Sequence, residues 1–318
     1  MIIAPLRGEP TPSLLARVAA GQVGGVLLLG NSWTSAQKTA AAVDRLQAVA
    51  CRRGSPLLIG VDQEGGSVQR LPWAPPTLSA ASMGTATETH AQAAAMAPAL
   101  RQAHVGIDFA PVADTISTPR SFLGTRSFGG DPSLVAELAS VFVTGLQDGG
   151  VAATAKHFPG LGSAVASTDD RAVTIGRSAA FLTARLAPFK AAIAAGAKLV
   201  MVSNASYPAL DPSGVQAVFS HAIVTGLLRD TLGFKGVVVT DALDAGAVAR
   251  VPHAPARALA AGVDLMLYSE TGASEAGYAS LVHDAAASAT VRAELAAAAQ
   301  RVNALKAWLA ARGGATCN

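Results

Sequence analysis

Eight short apolar runs recur along the chain, and longer segments of mixed polarity separate them. Most runs are continuously apolar and do not alternate with polar residues, which is typical of parallel strands buried on both faces. The pattern therefore predicts eight parallel β-strands. They cover Ile2–Leu6, Gly24–Leu29, Pro56–Asp62, Gly106–Asp114, Val151–His157, Lys198–Asn204, Gly236–Leu243 and Val263–Ser269.

Helical patterns lie between these runs. Thr11 followed by Pro12 predicts a helix start, because threonine caps free N–H groups and proline fits the first turn. Further apolar stripes at spacings of three and four predict helices over 36–50, 134–145, 220–232 and 291–309. Alternating strands and helices predict an α/β fold, and eight units favour a closed (β/α)8 TIM barrel. The alternative is an open doubly wound sheet, but no Gly-x-Gly-x-x-Gly turn supports a dinucleotide site.

Length and composition fit one barrel. A (β/α)8 barrel needs about 250 residues, so we expect residues 1–318 to form a single domain with long loops. Pro72–Pro76 and Ser117–Asp131 are Pro-, Gly- and Ser-rich and are expected to be such loops. The net charge of +3, without a Lys/Arg run, argues against a nucleic-acid partner. No apolar stretch reaches the roughly 18 residues of a membrane span, so no span is expected. We also expect the protein to be a monomer.

The compartment depends on the two cysteines. Residues Met1–Arg7 show no charged segment followed by an apolar core, so no signal peptide is expected here. Cys51 and Cys317 are either two separate thiols or one disulfide that ties the C-terminal tail to the early barrel. The first alternative leaves a cytoplasmic protein open, whereas the second favours a secreted one.

Polar residues collect where the apolar runs end. Asp62, Asp114, the pair Lys156-His157, Asn204 and Asp241 each follow such a run. A charge directly after a buried strand is poorly solvated unless a site uses it, although each residue alone is equally compatible with a loop cap or a buried ion pair. Because the carboxyl ends of barrel strands share one face, the sequence predicts an active site there.

Several of these residues stand in recognisable motifs. Residues 61–71, Val-Asp-Gln-Glu-Gly-Gly-Ser-Val-Gln-Arg-Leu, resemble an early signature of glycoside hydrolase family 3. The same holds for residues 109–114, 126–128, 156–160 and 232–241, in the family's order. The resemblance is to the single-barrel β-N-acetylglucosaminidases of the NagZ type and covers nearly the whole chain. It implies a (β/α)8 barrel that hydrolyses β-linked N-acetylglucosamine (GlcNAc) without a cofactor.

The resemblance also implies roles. Asp241 becomes the nucleophile, and a retaining glycosidase needs such an ionised carboxylate to form a covalent glycosyl-enzyme. We expect nearby cations to keep it charged. Five further residues are expected to bind the sugar: Asp62, Arg70, Arg126, Lys156 and His157. Asn204, where the family commonly has a histidine, joins this set of substrate-binding candidates.

The chain departs from the family after Lys-His-Phe-Pro-Gly. The family continues with His-Gly and a loop ending in Asp-Ser-His, whose last histidine is the acid/base. Here Leu161 replaces the first histidine, Ser167 the aspartate and Asp169 the acid/base histidine. Ala242 also stands where a second aspartate is common after the nucleophile.

Three alternatives follow from this loop. Asp169 is a carboxylic acid that replaces the histidine, or the chain is a sugar-binding pseudoenzyme, or the reaction uses activated leaving groups or phosphate. The first predicts a retaining exo-β-N-acetylglucosaminidase that acts on cell-wall fragments, as in peptidoglycan recycling, or on small glycosides.

Two other chemistries fit the sequence less well. A Schiff base on Lys156 explains neither the Asp62-Gln63-Glu64 run nor Arg70. The six histidines show no metal-ligand spacing, so no metal is expected.

Overall fold

The computed structural model describes residues 1–317, and Asn318, the last residue of the predicted domain, lies outside them. Eight parallel strands pair in the order β10-β1-β2-β3-β6-β7-β8-β9. A bridge between Val239 and Leu265 joins the two ends of this order, which makes the sheet a nearly closed barrel. The strands are β1 (Ile2–Leu6), β2 (Gly25–Leu28), β3 (Leu58–Val61), β6 (Ile107–Asp108), β7 (Ala152–Phe158), β8 (Leu199–Val202), β9 (Val237–Thr240) and β10 (Met266–Leu267).

The predicted (β/α)8 fold is therefore confirmed. Each strand lies within its predicted run, except that β7 extends one residue further to Phe158. Strand β6 is much shorter than its predicted run, partly because Pro111 has no N–H to donate. A single bridge from Val112 to Lys156 continues the pairing toward the end of the run.

Helices cover the outside of the barrel. The predicted caps are present, since the side chain of Thr11 accepts from the Leu14 N–H and that of Ser220 from the Ile223 N–H. The segment Ala222–Thr231, predicted as an ordinary helix, is π-helical. The α-helices are α1 (Pro12–Ala19), α2 (Ala36–Cys51), α3 (Ala86–Gln102), α4 (Pro132–Asp148), α5 (Ala179–Ala184), α6 (Ala187–Ala194), α7 (Ala254–Ala261), α8 (Thr271–Ala287) and α9 (Ala289–Ala310).

The core fills both sides of the sheet. Leu28, Val61 and Val239 are fully buried strand residues, and Leu46 and Leu146 are fully buried on the helices around them. Burying each such side chain contributes about 1.5–3 kcal/mol. This burial on both faces is the physical origin of the continuously apolar runs in the sequence.

A small hairpin follows β3 and shapes the site. It consists of β4 (Gln63–Gly65) and β5 (Val68–Gln69). The buried Gln63 amide donates to the carbonyls of Leu71 and Ala74, so it holds the following loop against the barrel. Gly65 has a φ of +86°, and a Cβ there would lie 2.1 Å from the Leu78 carbonyl oxygen. Only glycine therefore fits this turn.

The C-terminal tail is bonded to the early barrel. Cys51, at the end of α2, and Cys317 form a disulfide, so the alternative of two separate thiols is wrong. Within residues 1–317, no helix is both long and apolar enough to span a membrane.

Candidate active site

A cavity of about 400 Å³ opens at the carboxyl ends of the barrel strands. Its volume falls in the range of about 300–1,000 Å³ that is usual for small-molecule sites. Seven of the eight predicted site residues line it: Asp62, Arg70, Arg126, Lys156, His157, Asp169 and Asp241. The structure thus brings together side chains from β7, from the segments after β3 and β9, and from two long loops.

Lys156 is the centre of a buried ion-pair network. Its Nζ lies 2.7 Å from Asp62 Oδ1 and 2.6 Å from Glu64 Oε1, and its side chain is only 2% exposed. Burial opposes the charged ammonium, but the two carboxylates outweigh it and the pKa of Lys156 is raised. Lys156 is therefore held as a cation, and it fixes Asp62 at the cavity wall.

Arg126 extends this network across Glu64. Its Nε and Nη2 each donate to a carboxylate oxygen of Glu64 at 2.8 Å, which is a bidentate pair. Burial raises the pKa of Glu64, but Lys156 and Arg126 outweigh it and lower that pKa to about 2. Glu64 therefore holds both Lys156 and Arg126 in place at the cavity wall.

His157 is held by a second carboxylate. Its Nδ1 lies 2.7 Å from Asp114 Oδ2, and its backbone N–H donates to the same oxygen at 3.0 Å. Both residues are almost fully buried. With Nδ1 occupied by Asp114, the imidazole offers its Nε2 edge as the ring nitrogen available to a ligand.

Asp241 follows β9 and lines the cavity beside His157. Its Oδ1 accepts the N–H of Ala242 at 2.8 Å. Burial is the largest influence and raises the pKa of Asp241, and the Asp169 charge adds to the rise. His157, the Ala242 N–H and Lys156 oppose it without reversing it. The neighbouring cations therefore act in the expected direction, because they favour the charged carboxylate, but burial has the larger influence on its pKa.

Asp169 lies at the exposed rim of the same cavity. The carbonyl of Asp169 accepts the Gly246 N–H at 2.7 Å, and the carbonyl of Thr168 accepts the Ala247 N–H at 3.0 Å. These bonds fix the end of the Leu161–Asp170 loop against the segment that follows Asp241. The two carboxylates predicted as catalytic therefore belong to adjoining walls of one cavity.

Asn204 and Arg70 differ from the other predicted residues. Asn204 is fully buried and does not line the cavity; its amide donates to the carbonyl of Ala242 at 2.7 Å. It supports the backbone beside Asp241. Arg70 does line the cavity, and its Nε is buried without a hydrogen-bond partner among the described residues.

Four residues of the site were given no role by the sequence, although Asp114 was among the strand-end residues expected at this face. Glu64 and Asp114 orient the cations and His157. Asp244 accepts the N–H groups of Ser269 and Glu270, and Phe122 lines the cavity. Glu64 stands two residues after Asp62 in the same motif, which was the available signal. Among residues 1–317, no group of three or more His, Cys, Asp or Glu side chains is placed to hold a metal ion.

Comparison with known proteins agrees with this geometry. The family model "Glycosyl hydrolase family 3 N terminal domain" matches residues 7–305. A secreted glycosyl hydrolase of Arthroderma benhamiae is 34% identical over 84% of this chain and 79% of its own length. A beta-hexosaminidase of Stenotrophomonas maltophilia is 36% identical over 77% of this chain and 76% of its own.

Solved structures show the same relationship. A glycoside hydrolase family 3 beta-N-acetylglucosaminidase from Paenibacillus sp. str. FPU-7 superposes with a TM-score of 0.91 at 33% identity, covering 99% of this chain and 62% of that chain. A beta-N-acetylhexosaminidase from Beutenbergia cavernae gives 0.88 at 33% identity, covering 98% and 96%. The chain belongs to glycosyl hydrolase family 3 and forms the family's N-terminal barrel domain.

Proposed function

We propose that this glycoside hydrolase removes a terminal β-linked GlcNAc unit with retention of configuration, through a covalent intermediate on Asp241. The observation that carries the proposal is that both carboxylates line one cavity, with Asp241 inside it and Asp169 at its exposed rim. The names of the relatives, beta-hexosaminidase and beta-N-acetylglucosaminidase, support the choice of sugar. Cell-wall fragments and small glycosides are the two substrate classes that carry such a unit.

The sugar is held by the buried network. Asp62 accepts hydrogen bonds from sugar hydroxyls while Lys156, Arg126 and Arg70 donate to sugar oxygens, in charge-assisted contacts. Because Glu64 fixes Lys156 and Arg126 in the free protein, little ordering is left for the moment of binding.

The first chemical step uses both carboxylates. The Asp241 carboxylate attacks the anomeric carbon as the bond to the glycosidic oxygen breaks, and that oxygen takes a proton from Asp169. In the second step, Asp169 accepts a proton from water, whose oxygen attacks the anomeric carbon and releases Asp241. The raised pKa of Asp241 sets a lower pH bound for this chemistry, since only the ionised carboxylate attacks.

A second candidate function is a sugar-binding pseudoenzyme. The observation that favours it is the Leu161–Asp170 loop, which contains no imidazole to act as the acid/base. The sugar-holding network does not distinguish the two candidates, because it serves binding and catalysis equally.

Parallel assays with two aryl glycosides separate the candidates. We expect the wild type to hydrolyse both the p-nitrophenyl and the 2,4-dinitrophenyl β-N-acetylglucosaminide. Asp169→Ala should slow the p-nitrophenyl compound by about 10²-fold or more, the usual contribution of general acid catalysis, and the dinitrophenyl compound much less. Azide should restore part of the rate as the glycosyl azide, and Asp170→Ala is the matched control.

Three results would contradict parts of the proposal. GlcNAc binding without turnover of either compound supports the pseudoenzyme. Turnover that is the same in Asp169→Ala removes Asp169 from the mechanism. An inverted product, seen by NMR of the first-formed sugar, removes the covalent intermediate.

We also propose that the protein is exported. The Cys51–Cys317 disulfide supports this, because disulfides persist in oxidising compartments. Locating the protein in fractionated cells tests the proposal, and a protein confined to the reducing cytoplasm contradicts it.

A further inference from the structure

The cavity has two walls of opposite chemical character. One wall is the ion-paired network around Lys156. The other contains two apolar side chains, Phe122 and Leu161, which line the same cavity as Asp169. Phe122 is half-buried, so part of its ring is available to a ligand, whereas Leu161 is 1% exposed and backs the cavity.

The apolar wall is a fixed structure. The Phe122 N–H donates to the carbonyl of Ala164 at 3.1 Å, and the Ser117 N–H donates to that of Gly162 at 3.2 Å. The hydroxyls of Ser117 and Ser163 are 2.6 Å apart. The loop that carries Phe122 is therefore bonded to residues 162–164 of the Leu161–Asp170 loop. Val165, on the second of these loops, is 56% exposed and extends the apolar character outward.

The position of this wall relative to the sugar follows from the proposed function, on which this inference rests. A carboxylic acid at Asp169 has to face the glycosidic oxygen in order to protonate it. The group bonded to that oxygen, the aglycone, then lies against the loop that carries Asp169. Phe122 is the aromatic side chain that this loop holds in place.

The chemistry of the wall selects among aglycones. An aromatic ring on a pocket wall favours an aromatic or apolar partner, through offset or edge-to-face packing. A phenol has a pKa near 10, as in tyrosine, so a phenolate leaves with less proton transfer than a sugar alkoxide needs. An aromatic aglycone therefore agrees with both departures of this loop from the family, its apolar residues and its missing imidazole.

We infer that the preferred substrates are aryl β-N-acetylglucosaminides, with the phenolic aglycone packed on Phe122. In the first step, a carboxylate oxygen of Asp241 bonds to the anomeric carbon, and the electron pair of the broken bond leaves on the phenolic oxygen. That oxygen takes its proton from Asp169 or from water. Water then attacks the anomeric carbon, releases GlcNAc and Asp241, and gives its proton to Asp169 or to solvent.

Binding of two non-hydrolysed ligands tests the subsite apart from the chemistry. The ligands are the phenyl and the methyl 1-thio-β-N-acetylglucosaminides, and their Kd values are measured by calorimetry. We expect the wild type to bind the phenyl compound about tenfold more tightly than the methyl compound. In Phe122→Ala this ratio should fall to about twofold, and in Phe122→Leu it should be intermediate.

The control is Phe181→Ala, since Phe181 packs against Arg177 and Arg185 and does not line the cavity. It should keep the wild-type ratio, and thermal melts confirm that each variant is folded. If Phe122→Ala does not fold, Phe122→Leu decides by the same ratio. A wild-type ratio near one, or a ratio unchanged in the Phe122 variants, overturns the aryl subsite. The proposed function still stands in that case if the methyl ligand binds and the dinitrophenyl glycoside is hydrolysed. Failure of both thioglycosides and of GlcNAc to bind overturns the proposed function, and the inference with it.

Discussion

The two walls of the cavity are built by different means. On the sugar side, Glu64 and Lys156 are almost fully buried and joined by short ion pairs. On the Asp169 side, the carboxylate is exposed, and backbone hydrogen bonds to Gly246 and Ala247 hold its loop. A change in the first wall leaves a buried charge without its partner, whereas a change at the exposed Asp169 leaves no buried charge unpaired.

This difference indicates which part of the site is free to vary. Breaking a buried ion pair costs about 3–5 kcal/mol, a large fraction of the 5–15 kcal/mol by which proteins are stable. The sugar-holding wall is thus constrained by folding as well as by binding. Asp169, at the exposed end of the Leu161–Asp170 loop, has no buried ion pair among the described residues, so the residue at the acid/base position can differ while the barrel and the sugar network stay intact.

The largest effect is expected from Glu64→Gln, which breaks the buried wall. It removes the negative charge between Lys156 and Arg126, so the free energy of unfolding should fall by about 3–5 kcal/mol and KM should rise. The pKa of Glu64 in the folded protein is about 2, below its ordinary 4.5. The folded state therefore binds fewer protons, and this contribution is present above pH 4.5 and lost as the pH falls toward 2.

Urea unfolding at neutral and acidic pH measures both parts of that prediction. Glu137→Gln is the matched control, because Glu137 is exposed on α4. Equal stability of Glu64→Gln and Glu137→Gln would show that the network does not constrain the fold.

A smaller effect is expected from Gly246→Ala, which displaces the Asp169 loop. A Cβ at position 246 would lie 2.4 Å from the Asp170 carbonyl oxygen and 2.9 Å from that of Asp169. A shift of about 1 Å in a catalytic group costs up to about 10²-fold. We expect hydrolysis of the p-nitrophenyl glycoside to slow by about ten- to a hundredfold, with the dinitrophenyl glycoside less affected.

The control for this variant is Gly84→Ala, where a Cβ would meet open space. If Gly246→Ala slows both glycosides equally, the loop acts on Asp241 or on the sugar and not through Asp169.

The smallest effect is a shift in pH dependence. Burial raises the pKa of Asp241 and the Asp169 charge adds to the rise, so protonation of the nucleophile begins at a higher pH than for an ordinary aspartate. Asp169→Asn removes that charge and should lower the pKa of Asp241, which moves the acidic limb of covalent labelling to lower pH. The labelling rate of an activated fluoro glycoside, measured across the acidic range with Asp170→Asn alongside, checks this. An acidic limb that stays in place or moves upward contradicts the electrostatic coupling of the two carboxylates.

The barrel fold and the residues at its strand ends could be predicted from the sequence, because both follow from the burial of the strands. Asp62, Lys156 and Asp241 could be assigned to one site because parallel barrel strands end at the same face. Asn204 also follows a barrel strand, yet its side chain bonds to the Ala242 carbonyl instead of lining the cavity. The sequence could not predict this, because a hydrophobic pattern does not reveal side-chain rotamers.

The rest depended on contacts between distant segments. Glu64 lies in a hairpin too short to show an alternating pattern, and its role depends on Arg126, which is 62 positions away in the sequence. Phe122 lines the cavity from a loop that is bonded to Ala164, a contact between distant segments that the hydrophobic pattern does not show. The sequence did not decide whether Cys51 and Cys317 are free or bonded, because their pairing depends on how the closed barrel places the two distant segments.

The proposed mechanism requires a covalent bond between Asp241 and the sugar. A fluoro-GlcNAc derivative with an activated leaving group traps that ester, and mass spectrometry of proteolytic fragments locates it. We expect one equivalent of label on the peptide that contains Asp241, and none in Asp241→Asn. Label on any other residue, or turnover of the glycoside by the wild type with no trapped ester and with Asp241→Asn equally active, would rule out Asp241 as the nucleophile.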